Sequence, residues 1–105
     1  MKGLTREEEK IVSGIVLELA ADCDVFAFGS RVRGTHRETS DLDLAFALPN
    51  GERLPFGRIG DIKEAFSESD IVFRVDVLDY NGVEPYFRKI IDNGRRKIYS
   101  PGAPD

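Results

Sequence analysis

Residues 25–48 read VFAFGSRVRGTHRETSDLDLAFAL, and this stretch decides the fold. The apolar run at 25–28 predicts a buried strand, and Gly29-Ser30 predicts the turn that ends it. Further on, apolar and other side chains alternate from Asp41 to the end of the stretch, which is the period of a second strand. Asp41 and Asp43 lie two residues apart on that strand, so their carboxylates project from the same face. The stretch therefore predicts two strands and places a pair of carboxylates where the second one begins.

Patterns on either side predict three helices and two further strands. Thr5 followed by Glu8 is a capping-box pattern, and the apolar spacing after it predicts an amphipathic helix over residues 5–22. After the stretch, the patterns predict a helix at 58–68, a strand at 71–78, a helix from Glu84-Pro85 to Asn93-Gly94, and an edge strand at 97–99. Within the stretch, residues 31–40 are predicted to form a helical turn plus a loop. This order favours an α+β fold, a mixed sheet with helices packed on one face. The other face is left open for a polar site.

Composition bounds the class of protein. The chain has 105 residues, 41% of them hydrophobic and 32% charged, which predicts a single domain over 1–100 with 101–105 as a flexible tail. A net charge of -4 and a pI of about 5.0 argue against direct nucleic-acid binding. The single cysteine, Cys23, excludes a disulfide framework and a zinc site of paired cysteines. With neither a signal-like N-terminus nor a run long enough to span a bilayer, we expect a soluble, cytoplasmic protein that does not bind membranes.

A third carboxylate comes from the strand predicted at 71–78. Asp76 lies between two valines there and joins Asp41 and Asp43 if the two strands are neighbours. Asp79 is the competing candidate, but it points to the opposite face from Asp76. Aspartate is uncommon in strands and like charges repel, so such a cluster is usually stabilised by a cation. Three carboxylates suit Mg²⁺ or Mn²⁺, which commonly bring phosphates with them.

The turn between the strands has the features of a phosphate site. Glycine at position 29 allows the backbone to approach a ligand, and the N–H groups and hydroxyl of Ser30 can face an anion. Arg33 either neutralises a phosphate or pairs with a nearby acid such as Glu38 or Asp41, and both possibilities stay open. Arg31 and Arg37 are expected to be solvated charges, and Ser40 a turn residue that orients the aspartates.

The two motifs together carry a family resemblance. Gly29-Ser30-Arg31-Val32-Arg33-Gly34 followed by Ser40-Asp41-Leu42-Asp43-Leu44 resembles the signature of the minimal nucleotidyltransferases (MNT) of the DNA polymerase β superfamily. Val32 is a conservative departure, since the family usually has alanine there. The resemblance covers most of the chain, because the third family carboxylate maps onto Asp76.

The resemblance implies a nucleotidyltransferase fold and an enzyme that uses ATP. Asp41, Asp43 and Asp76 would hold two Mg²⁺ ions, with Mn²⁺ as a substitute, and Gly29-Ser30 with Arg33 would bind the phosphates. It further implies an antitoxin whose partner is a HEPN ribonuclease toxin and whose acceptor is a tyrosine of that toxin. The alternatives are an antitoxin that neutralises the toxin by binding alone, and a transferase for an antibiotic or an RNA end.

Overall fold

Four helices and four strands make up the described part of the chain. The computed structural model describes residues 3–35 and 40–102. The helices are α1 (Arg6–Leu19), α2 (Ser30–Arg33), α3 (Arg58–Ser67) and α4 (Pro85–Gly94), with a 3-10 turn at Tyr80–Gly82. The strands are β1 (Asp24–Phe28), β2 (Leu42–Ala47), β3 (Val75–Asp79) and β4 (Arg96–Tyr99).

Parts of two predictions lie outside these residues. The expected helical turn after Gly29 is present as α2, but 36–39 of the expected loop, including Arg37 and Glu38, lie outside the described residues. The expected tail lies outside them from residue 103 onward. None of the helices described is both long and apolar enough to span a bilayer.

The first helix begins at the capping box that the sequence predicts. The hydroxyl of Thr5 accepts a hydrogen bond from the Glu8 N–H at 3.1 Å, and Glu8 Oε1 accepts one from the Thr5 N–H at 2.8 Å. These bonds satisfy two N–H groups that have no partner within the helix. Three glutamates in the first turn also complement the helix dipole.

The sheet is mixed, with strand order β3-β2-β1-β4. β1 pairs antiparallel with both β2 and β4, whereas β2 and β3 are parallel. The turn at Gly29-Ser30 therefore joins the two central strands. The parallel pair brings the start of β2 next to the start of β3.

The main core lies on the sheet face that α1 and α3 cover. Leu42, Leu44 and Phe46 of β2 are fully buried there, against Val16 of α1 and Ile62 of α3. Each of these side chains contributes about 2 kcal/mol by leaving water. This layer confirms the predicted arrangement of a mixed sheet with helices on a face.

The last helix differs from the expected arrangement, because α4 packs on the opposite face. Ile91 of α4 is fully buried there against Phe26, Ala45 and Ala47, whose side chains alternate with those of the main core. These apolar residues on two central strands need a cover of their own. Only part of the second face is therefore open.

β3 begins later than the sequence predicts. The pattern predicts a strand at 71–78, but the residues before Val75 extend beyond the start of β2 at Leu42, their parallel neighbour. In this lead-in segment Val72 is 90% exposed, whereas Phe73 is buried in the core and Ile71 packs against it partly buried. β-branched residues favour a strand only where a neighbour supplies hydrogen bonds.

Candidate active site

The sheet places two of the predicted carboxylates side by side. Asp43 on β2 is the register partner of Asp76 on β3, and Phe28 at the end of β1 is the antiparallel partner of Asp43. Alternation along β2 puts Asp43 on the same face as Ala45, which packs beneath α4. Asp41 precedes β2 and is exposed. The carboxylates thus gather at one end of the partly open face.

The charges around Asp43 change its pKa. Burial, the charges of Asp76 and Asp41 and a hydrogen bond with Asp76 together raise the pKa of Asp43 to about 6, while the charge of Arg33 opposes them. Ionising Asp43 is therefore unfavourable without a compensating positive charge. A divalent cation supplies such a charge, and carboxylate oxygens are the ligands that Mg²⁺ prefers. The donor set fits the ions that the sequence implies.

Asp76 has a cationic partner within the chain. Its Oδ1 accepts from Nε of Arg74 at 2.8 Å, in an ion pair whose arginine side chain is 74% exposed. In residues 3–35 and 40–102, no cluster of three aspartate, glutamate, histidine or cysteine side chains has the geometry of an ion site. In the described part of the chain, the three carboxylates are therefore not arranged around one ion position.

Gly29 is in close contact with Asp43. Its φ of +82° lies in the left-handed region, and a Cβ there would overlap Oδ2 of Asp43 and approach its Cγ to 3.3 Å. Only glycine combines this conformation with this contact. The Gly29 carbonyl accepts from the N–H groups of Val32 and Arg33, both at 3.1 Å. The residue that contacts Asp43 therefore also holds the first turn of α2.

Ser30 and Arg33 lie on α2, which begins directly after this glycine. Arg33 is exposed, and its charge lowers the pKa of Asp43, so it faces the carboxylate cluster closely enough to act on it. One open possibility, a pair with Glu38, lies outside the described residues. Gly34, with φ +78°, ends the helix and keeps this turn short.

Arg31 contradicts the prediction of a solvated charge. Its side chain is 3% exposed, and its guanidinium carbon lies 3.8 Å from the ring centre of Phe73. Its Nε donates to the carbonyl of Ser40 at 2.9 Å. Arg31 lies in a run of polar residues, which gives no local sign of burial. The partner ring is far along the chain, so sequence reasoning misses this residue.

Asp79, the competing third carboxylate, has a structural role. Its Oδ2 accepts from the N–H of Leu54 at 2.9 Å, and its Oδ1 from that of Asn81 at 3.2 Å. It lies three residues beyond Asp76 on β3, with its side chain on the other face. Asp79 anchors the connection before α3 and is not part of the carboxylate cluster.

A separate groove of about 460 Å³ lies between α1 and β4. Leu17 and Val12 line one side and Lys97 and Ile98 the other. The carboxylates and α2 are not among its lining residues. It is therefore distinct from the candidate active site.

Comparison with known proteins agrees with this geometry. Residues 23–102 match the family "Polymerase beta, Nucleotidyltransferase", and this range holds the turn and all three carboxylates. The chain is also 47% identical over 93 residues to the Haemophilus influenzae protein named probable protein adenylyltransferase MntA. That alignment covers 89% of this chain and 76% of the relative.

Solved structures share the fold at low sequence identity. One is a toxin-antitoxin with AMP-PNP, with TM-score 0.73 and 16% identity over 90% of this chain and 74% of that one. Another is a tri-AMPylated Shewanella oneidensis HEPN toxin in complex with its MNT antitoxin. Its TM-score is 0.66 at 13% identity, over 88% of this chain and 69% of that one. With the family match over most of its length and a curated relative at this identity, the chain belongs to the polymerase beta nucleotidyltransferase family, as an MntA-like nucleotidyltransferase.

Proposed function

We propose that the chain is an ATP-dependent protein adenylyltransferase that transfers AMP to a tyrosine of a HEPN ribonuclease toxin and acts as its antitoxin. One observation carries the proposal: Asp43 and Asp76 are register partners, and Gly29, at the start of a short helix, packs against Asp43. A phosphate-binding turn and a carboxylate cluster in contact are what nucleotidyl transfer needs.

The reaction exchanges a phosphoanhydride bond of ATP for a phosphoester bond to the acceptor. A phenol oxygen of the acceptor attacks the α-phosphorus of ATP, the bond from that phosphorus to the oxygen that bridges it to the β-phosphorus breaks, and pyrophosphate leaves. The phenol proton passes to solvent as the new bond forms. Positive charge near the α-phosphate and the leaving group stabilises the transition state.

The chain's own residues would divide these tasks. Asp41, Asp43 and Asp76 would hold two Mg²⁺ ions, which supply positive charge to the phosphates. Gly29 permits a close approach of the backbone, and Ser30 and Arg33 would donate to the outer phosphates. The charge of Arg33 lowers the pKa of Asp43, which supports a role for Arg33 in this site.

The toxin partner and the tyrosine acceptor rest on similarity to relatives. The relative at 47% identity is named a protein adenylyltransferase, and a structural neighbour is an MNT antitoxin in complex with an AMPylated HEPN toxin. The site lies at a sheet end with exposed flanks, where Asp41 and Arg74 are open to solvent. A partner protein can therefore reach it and complete the enclosure of ATP.

The test is label transfer to a purified HEPN-domain protein from the same genome. With Mg²⁺ and ATP labelled at the α-phosphate, we expect wild type to label the partner, and Asp41→Asn and Asp43→Asn not to do so. ATP labelled at the γ-phosphate should give no label. The matched control is Asp61→Asn, which removes an exposed carboxylate from α3 and should leave transfer intact.

Other outcomes separate the alternatives. If the partner's ribonuclease activity is lost without label, and both Asp41→Asn and Asp43→Asn still inhibit it, neutralisation is by binding alone. If label appears on an aminoglycoside or an RNA end and not on the protein, the acceptor class is wrong. Hydrolysis of the labelled partner and amino-acid analysis would identify AMP-tyrosine.

A further inference from the structure

A buried arginine directly follows the proposed phosphate-binding turn. Arg31 follows Ser30 on α2 and is almost completely removed from solvent. Its Nε donates to the Ser40 carbonyl at 2.9 Å, and its guanidinium also donates to the carbonyl of Gly3. Its guanidinium carbon lies over the ring of Phe73, 3.8 Å from the ring centre. One side chain therefore connects four separate parts of the chain.

Two of these contacts are made where the chain leads into β2 and β3. Ser40 directly precedes Asp41, so the bond to its carbonyl fixes where the chain enters β2. Phe73 directly precedes Arg74, whose carbonyl accepts from the Leu42 N–H at 2.9 Å as β2 and β3 begin to pair. Arg31 thus contacts both Ser40, which leads into β2, and Phe73, which leads into β3. The distance between these two segments affects how close Asp41, Asp43 and Asp76 lie to one another.

The chemistry of this position calls for arginine. The guanidinium offers donors in several directions in one plane and a flat face for stacking, and a lysine ammonium offers no such plane. Burying a charge is costly, and an apolar side chain usually fills such a space at lower cost. The hydrogen bonds of Arg31 fix the positions of the backbone segments at Gly3 and Ser40 relative to α2, and an apolar residue could not make these bonds.

We propose that Arg31 is a positioning residue that holds the entrances to β2 and β3 in the arrangement that lets the aspartates share divalent cations. This inference rests on the proposed function, because it assumes that the aspartates bind the ions. In this role Arg31 acts through the backbone of its neighbours.

The test measures binding of Mn²⁺ alone, without nucleotide, by the electron paramagnetic resonance signal of the free ion. Arg31→Ala and Arg31→Lys are compared with wild type at a temperature where circular dichroism shows each to be folded. We expect Arg31→Ala to raise the Mn²⁺ dissociation constant about tenfold, as is typical when a group that orients metal ligands is removed. Arg31→Lys should restore part of the loss, because it keeps the charge and can reach one carbonyl.

Arg58→Ala is the matched control. Arg58 is a partly buried arginine, with its side chain 24% exposed, that also donates to a backbone carbonyl, that of Leu19 at 2.8 Å, and it pairs with Asp22 at 2.6 Å. It lies on α3, and its hydrogen bonds to other described residues involve neither the turn at Gly29 nor the three proposed metal ligands. Arg58→Ala should lower the free energy of unfolding and leave the Mn²⁺ dissociation constant unchanged.

The outcomes distinguish this inference from the proposed function. If wild type and Asp43→Asn bind Mn²⁺ equally, the aspartates do not hold ions, and both proposals fail. If binding depends on Asp43 but Arg31→Ala weakens it no more than Arg58→Ala does, Arg31 only stabilises the fold and this inference is overturned. If Arg31→Ala does not fold, Arg31→Lys decides: a dissociation constant equal to that of wild type would overturn it.

Discussion

Asp43 and Asp76 are register partners across the parallel strands β2 and β3, where burial and the charge of Asp76 raise the pKa of Asp43. With the charge of Asp41 added, this arrangement disfavours the ionisation of Asp43. The arrangement is costly for a protein without a ligand and useful for one that binds cations. It is therefore the part of the fold in which stability and function are in conflict.

Asp43→Asn should abolish transfer of AMP without lowering the stability of the metal-free protein. The pKa of Asp43 is raised from 3.8 to about 6, so folding favours the protonated acid. The stability that this group contributes is complete below its unfolded pKa and is lost as pH rises through about 6. Near pH 7 the asparagine variant should be more stable than wild type by about 1 kcal/mol, after allowance for solvent screening.

Urea unfolding in EDTA, at neutral pH and again below the unfolded pKa, would check this prediction. The difference between wild type and Asp43→Asn should vanish in acid. A variant less stable than wild type at neutral pH would show that the carboxylate is favourably solvated, contrary to the raised pKa.

Asp22→Asn should change stability in the opposite direction. The hydrogen bond from Arg58 lowers the pKa of Asp22 from 3.8 to about 2. A depressed pKa contributes stability above the unfolded value, which is lost as pH falls through about 2. The Asp22 side chain is 57% exposed, so the loss at neutral pH should stay below about 1 kcal/mol. Melting temperatures measured from neutral to acidic pH should converge for wild type and variant, and a constant difference would contradict the ion-pair explanation.

Cys23 should resist thiol reagents until the protein unfolds. Its side chain is fully buried, and burial raises the pKa of the thiol to about 11, which disfavours the reactive thiolate. Labelling by an aromatic disulfide at mildly alkaline pH should be slow in buffer and fast in urea. Because Cys23 is the only cysteine in the sequence, the rate reports directly on opening of the core. Rapid labelling of the folded protein would show that the end of α1 opens locally.

Local patterns predict most of the fold because the residues that determine each helix or strand lie close together in the sequence. The capping box at Thr5 and the alternation from Asp41 to Leu48 each depend on neighbours a few residues away, and both predict the observed elements. The shared face of Asp41 and Asp43 follows from the period of a strand. The position of Asp76 beside them depends on pairing of distant strands, and the family resemblance supplies it.

Two features depend on contacts that no local pattern contains. The packing of α4 on the second face requires knowing that Phe26 and Ala45 lie on adjacent central strands, where both faces need cover. The burial of Arg31 requires Phe73, which is distant in sequence and lies outside any strand. Composition predicts a solvated arginine in a polar loop, but tertiary contacts decide otherwise.

Gly29→Ala tests the contact between the turn and the carboxylate cluster, and the chain offers a matched control. Gly29 and Gly51 both have φ of +82°, but a Cβ at Gly51 meets nothing within 4 Å, whereas one at Gly29 overlaps the carboxylate of Asp43. Each alanine variant should lose about 1 kcal/mol of unfolding free energy, because the left-handed conformation disfavours a side chain. Gly29→Ala should lose more, about 1 to 3 kcal/mol further, since either the turn or Asp43 must move. Urea unfolding measures both losses.

Label transfer, compared at the same fraction of folded protein, measures the activity of the site in the two variants. Transfer should fall at least tenfold in Gly29→Ala and stay at the wild-type level in Gly51→Ala, because only the first substitution displaces a proposed ligand. Equal transfer by the two variants would mean that the exact position of Asp43 against the turn does not matter for the reaction.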